Sequence, residues 1–110
     1  MATAEIPELI AHRGWASRYP ENTLESLEGA LDAGARFVEF DVQLSADDVP
    51  VLMHDATLDR TCESGGCVHD LPWSALAITG AGEPRRFGDA FEASRIPSLD
   101  QALECLIEPP

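Results

Sequence analysis

Lysine is absent from this 110-residue chain. Its seven basic residues are all arginines, set against 20 acidic ones, for a net charge of −13. A nucleic-acid partner needs a basic footprint, and this balance excludes one. Long apolar runs are missing as well: nothing approaches the roughly 18–20 consecutive apolar residues of a membrane span. Residues 1–8, Met1-Ala2-Thr3-Ala4-Glu5-Ile6-Pro7-Glu8, carry no positive charge and no apolar signal-peptide core. A cytoplasmic location is the default expectation. Cysteine is scarce, with only Cys62, Cys67 and Cys105. Without a secretion signal, these favour free thiols. Cys62 and Cys67 flank the turn Glu63-Ser64-Gly65-Gly66, so a local disulfide is the alternative, and a lone Cys-x4-Cys pair is weak as a zinc site. Repeats, low-complexity tracts and linkers are lacking too, and the 45% apolar content is that of an ordinary folded domain. Residues 1–110 therefore read as one structural unit.

What is present is a strand and helix pattern. Leu9-Ile10-Ala11 reads as a short buried strand leading into His12-Arg13-Gly14. A polar connector follows, and Asn22 is the expected helix N-cap, with Glu25 three residues on as its capping-box partner. Leu24, Leu27 and Leu31 recur at i, i+3 and i+7, and Gly34 closes the helix. The run Phe37–Leu44 then reads as a strand, which completes a right-handed βαβ unit. Ser45 to Asp48 are too few residues for a parallel crossover, so the next run, Val49–Asp55, is an antiparallel neighbour. A two-residue Asp47-Asp48 turn sets Asp41 opposite His54, although Asp-Asp is a weaker turn signal than Asp-Gly. Residues 56–96 form a long irregular excursion with a short helix from Pro72, and Trp73, Leu76 and Ile78 cover part of the core. Ser98, with Gln101 at N3, starts a last helix over 98–106. The chain stops at Glu108-Pro109-Pro110 with no strand after that helix.

His12 and His54 bracket Glu39-Phe40-Asp41, and the chemistry gathers there. Residues i and i+2 of a strand share a face, which places Glu39 beside Asp41. Two carboxylates suit a hard divalent cation, while two histidines suit proton transfer. Flanking Phe37, Val38, Phe40 and Val42 leave both faces partly buried, where unpaired carboxylates are expensive and a cation is the natural partner. The acidic field of the whole chain repels an anion, so an anionic substrate needs Arg13 or a bound cation. The set reads as a metal-assisted site for hydrolysing an anionic substrate. Against it stand plainer readings. A lone histidine is more often structural, and two strand carboxylates are more often a solvated face. Asn22 already has a capping role; Asp55, Arg60 and Thr61 read as loop braces, His69 as a surface histidine, and Trp15 and Trp73 as packing.

Together, Ala11-His12-Arg13-Gly14, Pro20-Glu21-Asn22-Thr23, Glu39–Leu44, Pro50-Val51, His54–Thr61 and Ile96-Pro97-Ser98-Leu99 resemble the glycerophosphodiester phosphodiesterase family. The resemblance implies a (β/α)8 barrel that hydrolyses glycerophosphodiesters to sn-glycerol 3-phosphate and an alcohol. It implies His12 and His54 as the acid/base pair, and Glu39 and Asp41 as ligands of a divalent cation, Mg2+ or Ca2+. Arg13 becomes the phosphate contact, and residues from about 55 to 96 the family's insertion, which shapes the glycerol pocket. The expected fold is therefore α/β, the N-terminal part of a TIM barrel with a βαβ unit, a short hairpin return and that insertion. A family barrel needs roughly 250 residues. The family's third carboxylate ligand lies on the strand after the 98–106 helix, beyond this chain; Glu104 and Glu108 are not substitutes. An incomplete metal shell follows, with an open sheet edge that invites self-association. Two competing readings are a sphingomyelinase D-like phosphodiesterase, which the long insertion disfavours, and a catalytically silent assembly module.

Overall fold

The computed structural model describes residues 10–107. Leu9 of the expected first strand, the leading residues and Glu108 lie outside them. Strand β1 is Ile10–His12, helix α1 Leu24–Asp32, and strands β2 to β4 are Phe37–Glu39, Val42–Leu44 and Pro50–Leu52. A 3-10 turn at Val68–Asp70 precedes the short helices α2, Trp73–Leu76, and α3, Pro84–Phe87. Helix α4, Leu99–Ile107, follows them.

β1 and β2 pair in parallel, with Ile10 beside Phe37, Ala11 beside Val38 and His12 beside Glu39. Helix α1 is the crossover between them, so the expected βαβ unit is present. Its N-cap, however, is Thr23 and not Asn22. Thr23 Oγ1 accepts from the Ser26 amide at 3.3 Å while Ser26 Oγ accepts from the Thr23 amide at 3.2 Å. The hydroxyl pair forms the capping box one residue later than expected, because Asn22 turns to Asp41 instead. At the other end Gly34, with φ +94°, donates to Leu31 O, and Ala35 donates to Ala30 O. This is a Schellman motif in which the left-handed residue is glycine, as the sequence indicates.

The run 37–44 is not one strand. It divides at Phe40-Asp41, with β2 joining β1 and β3 joining β4 in a separate antiparallel pair. Asp41 gives its amide hydrogen to Asn22 Oδ1 at 3.2 Å. That donor is thereby removed from a ladder, which separates the two sheets.

The hairpin register also differs from expectation by one residue. Val42 lies opposite Leu52 and Leu44 opposite Pro50. Asp41 meets Met53, whose amide donates to Asp41 O at 3.0 Å, rather than His54. The turn has three residues, 46–48. Asp48 donates to Ser45 O and adopts φ +62°, the left-handed position of a three-residue hairpin loop. Ser45 Oγ accepts from the Val49 amide and fixes this longer loop. A one-residue slip exchanges the two faces of a strand. The observed register sends Val51 and Met53 to one core and Leu52 to the other.

Those two cores organise the molecule. In one, Leu27 of α1, Leu52 and Ala102 of α4 are buried, with Leu24, Val38, Phe40 and Leu106 against them. In the other, Leu58, Cys62, Val68, Leu76, Ala81 and Ile96 enclose Val51 and Met53. The excursion over 56–96 is therefore a packed subunit of the fold, held by isolated bridges between Thr57 and Cys67 and between Gly80 and Arg95. Ser98 and Gln101 form the reciprocal cap expected for α4. All three cysteines are free, and burial pushes the Cys62 thiol above its ordinary pKa. On the opposite face, β1 and β2 leave Ile10 64% and Phe37 52% exposed.

Candidate active site

The site begins at the C-terminal end of β1. Arg13 and Gly14 both take positive φ, +57° and +76°, and turn the chain sharply out of the sheet. Gly14 has no substitute: a Cβ there would lie 2.3 Å from Ser26 Oγ. The Gly14 amide donates to Glu39 O and the Trp15 amide to Ser26 O, which lays the turn across the end of β2 and the start of α1. His12, directly beside Glu39 in the parallel ladder, contacts the Glu39 carboxylate through Nδ1.

Arg13 points back into the site. Its Nη1 lies 3.3 Å from Glu21 Oε1 and its Nε 3.3 Å from Asp41 Oδ2. The Nε is buried and has no hydrogen-bond partner among the described residues. Its charge is matched by the Asp41 carboxylate even though the two groups are not aligned for a hydrogen bond. Asn22, itself at φ +56°, donates from Nδ2 to Asp41 Oδ2 at 3.1 Å. The expected capping residue is thus the clamp of the Asp41 carboxylate.

His54 leaves β4 and meets Asp55, with 2.7 Å between His54 Nδ1 and Asp55 Oδ1. Arg60 then bridges two carboxylates. It donates through Nη1 and Nη2 to both Glu21 oxygens at 2.9 and 2.8 Å, and through Nε and Nη2 to Asp55 at 2.9 and 3.1 Å. A forked guanidinium makes such paired contacts where a lysine does not. Burial alone would raise the Glu21 pKa, but the Arg60 contacts and the Arg13 charge outweigh it and hold the carboxyl low. Asp55 is drawn down to about 2, first by its hydrogen bonds from Arg60 and then by His54. The same carboxylates push the Arg60 pKa up.

The structure therefore brings together His12 with Glu39, and Arg13 with Asp41. His54 joins the group indirectly, through Asp55, Arg60 and Glu21 to Arg13. Glu21, within Pro20-Glu21-Asn22-Thr23, joins the cluster without a sequence signal of its own: it lies between Arg13, eight positions before it, and Arg60, 39 after, and neither spacing leaves a periodic trace. Arg60 and Asp55, read as loop braces, are that and also the support of His54.

For a metal ion the donor set is partial. Among the described residues no group of three His, Cys, Asp or Glu is placed to hold one. Glu39 and Asp41 are not in one strand as expected: β2 ends at Glu39, whose carboxylate meets His12, and Asp41 follows the break, with its carboxylate at Arg13 and Asn22. Mg2+ commonly takes one or two carboxylates and fills its remaining positions with water and substrate phosphate. Asp41 beside Arg13, and Glu39 beside His12 on the neighbouring strand end, supply carboxylates of that type.

A parallel strand–helix–strand unit with polar groups gathered at its strand ends corresponds to the first part of a (β/α)8 barrel. The chain belongs to the glycerophosphoryl diester phosphodiesterase family, whose sequence profile matches residues 12–108. Glycerophosphodiester phosphodiesterase 1 of Mus musculus is 42% identical over 98 residues, covering 88% of this chain and 30% of that protein. A glycerophosphodiester phosphodiesterase of Caldanaerobacter subterraneus is 39% identical, covering 89% of this chain and 40% of its own length. Among solved structures, an Oleispira antarctica phosphodiesterase in complex with the product sn-glycerol-3-phosphate superposes with a TM-score of 0.86. It is 40% identical, with 92% of this chain and 40% of that chain covered. The chain thus spans 30–40% of the length of these relatives.

Proposed function

We propose that this chain carries the phosphate- and cation-binding half-site of a glycerophosphodiester phosphodiesterase, which hydrolyses glycerophosphodiesters to sn-glycerol 3-phosphate and an alcohol. The observation that supports this most is the ion pair of the buried Arg13 Nε with Asp41 across the strand ends, 3.3 Å apart without a hydrogen bond between them. Family membership and the product bound to the Oleispira relative point the same way.

In this reading Arg13 holds the substrate phosphate with its fork, against the repulsion of a chain with net charge −13. Glu39 and Asp41 hold a divalent cation, Mg2+ or Ca2+. When bound, the cation neutralises phosphate charge and lowers the pKa of an attacking oxygen nucleophile. Each histidine is fixed through Nδ1, His12 by Glu39 and His54 by Asp55. Nε2 of each remains for the substrate, one accepting the nucleophile's proton and the other protonating the leaving alcohol. Asn22 keeps the Asp41 carboxylate oriented. The packed 56–96 segment borders the site through Arg60 and shapes the glycerol side. The free edges of the two-stranded β1–β2 sheet are where a second copy, or the remainder of a barrel, would add strands, and the exposed Ile10 and Phe37 are the apolar side chains such strands would cover.

The test is release of sn-glycerol 3-phosphate from glycerophosphocholine by this chain, with Mg2+ or Ca2+ and with chelator. The reading expects any release to be chelator-sensitive and abolished by His12→Ala. Release that persists in chelator, or in His12→Ala, contradicts it.

A further inference from the structure

Glu83 stands where nothing in the mechanism calls for it. It is 4% exposed and takes φ +45°, a left-handed conformation that L side chains rarely adopt. Its backbone is tied on both sides. The amide donates to Thr61 O at 2.9 Å, and the carbonyl accepts from the Arg86 and Phe87 amides of α3 at 2.9 Å each. Before it, a Cβ on Gly82 would lie 2.3 Å from Phe91 O, so the approach is closely packed. Surroundings that enforce a strained residue commonly do so for a purpose. Here the strain delivers a buried carboxylate to the far side of the site. Glu83 Oε2 accepts from the Glu21 amide at 2.8 Å, across 62 positions of sequence.

We infer that Glu83 is a positioning residue, a latch by which the 56–96 segment holds the Pro20–Asn22 loop and so aims Glu21 at Arg13 and Arg60 and Asn22 at Asp41. Glu21 and Asn22 are adjacent, so one hydrogen bond at the Glu21 amide fixes the departure of both side chains. Arg86 reinforces the latch: it reaches Glu83 Oε1 at 3.4 Å and contacts the carbonyl oxygens of Ala16 and Tyr19 in the same connector. Tyr19 packs edge-on to Phe91, with centroids 5.7 Å apart, and Ser94 donates to Glu25 at 2.7 Å. The connector is gripped along its length, and Glu83 supplies the grip next to the charged groups. Two of the other left-handed non-glycine residues, Arg13 and Asn22, lie at the two ends of what it holds. The Asn22 amide in turn donates to Arg13 O at 3.0 Å, closing the loop onto the β1 turn.

The consequence for ligand binding rests on the phosphodiesterase reading, whereas the latch itself does not. Glu83→Gly removes the carboxylate and relieves the φ strain, since glycine takes positive φ freely; Glu83→Gln keeps an oxygen able to accept the Glu21 amide. Amide hydrogen exchange on the full chain reads the latch. Glu83→Gly is expected to speed exchange at Glu21 and Asn22 by at least about tenfold, the loss of one hydrogen bond to a charged acceptor. Core amides such as Leu52 should be unchanged, and Glu83→Gln should restore protection. The Arg13 Nε–H resonance should move in the glycine variant and return in the glutamine one. With Mg2+ present, affinity for sn-glycerol 3-phosphate should fall about tenfold and recover in the same order. Unchanged Glu21 exchange in folded Glu83→Gly, or equal loss in both variants, overturns the latch. A wild-type chain that binds no sn-glycerol 3-phosphate contradicts the phosphodiesterase reading instead, and the exchange data still decide the latch.

Discussion

Asp55 shows how much of the site is decided by single contacts. Its carboxyl lies at about 2, against an ordinary value of 3.8, because Arg60 and His54 bind the ionised form. A pKa lowered in the folded state contributes stability that is present above the unfolded pKa and lost as the pH falls through the folded one. The contribution is therefore in place above about pH 4 and disappears toward pH 2. Solvent screening at this partly exposed pair keeps it small. Acid titration followed by circular dichroism should show a shallower loss of stability between about pH 4 and 2 in Asp55→Asn than in the wild type. An identical slope in the two proteins would remove Asp55 from the acid response. At this scale His12, Arg13, Glu39, Asp41 and His54 stand out in the sequence as candidates, because they lie in short motifs. Glu21 and Glu83 do not. Their partners are 39 and 62 positions away, and no local pattern encodes a contact of that range.

Among the elements, helices were read more accurately than strands. The α1 and α4 leucine spacing, the Gly34 terminus and the Ser98–Gln101 cap follow from local chemistry and are present as expected. The α1 start moved from Asn22 to Thr23 because both residues are good caps, and Asp41, nineteen positions on, recruits Asn22. Removing the true cap should cost about 1 kcal/mol of stability, the usual effect of Thr→Ala at an N-cap. Thermal unfolding of Thr23→Ala checks this, and Asn22→Ala should leave α1 intact while releasing Asp41. The strand errors have one origin. Alternation of apolar residues across 37–44 fits one strand or two equally well, and the choice lies with the Asn22 side chain and a three-residue turn at Asp48.

At the scale of the whole molecule, two cores and an exposed sheet face stand side by side. The 56–96 segment, unpatterned in sequence, is packed through Leu58, Val68, Leu76 and Ile96 because its apolar residues converge from turns rather than from periodic elements. The β1–β2 face is the reverse case: among the described residues it leaves Ile10 and Phe37 toward solvent, in register with the polar His12–Glu39 pair. Among the described residues no helix is long and apolar enough to cross a membrane. Sedimentation velocity should find concentration-dependent self-association through this face, weakened by Phe37→Glu. A strictly monomeric wild type at high concentration would count against it.

The proposed function requires that His12, Arg13, Glu39, Asp41 and His54 act as one cation- and phosphate-binding site. Titration of the chain with sn-glycerol 3-phosphate, with Mg2+ and then with chelator, tests it most directly when followed at the His12, Arg13 and His54 side-chain resonances. Saturable shifts at all three that require Mg2+ and vanish in Asp41→Asn are the predicted result. Shifts that ignore Mg2+, or that spare Arg13, would contradict it.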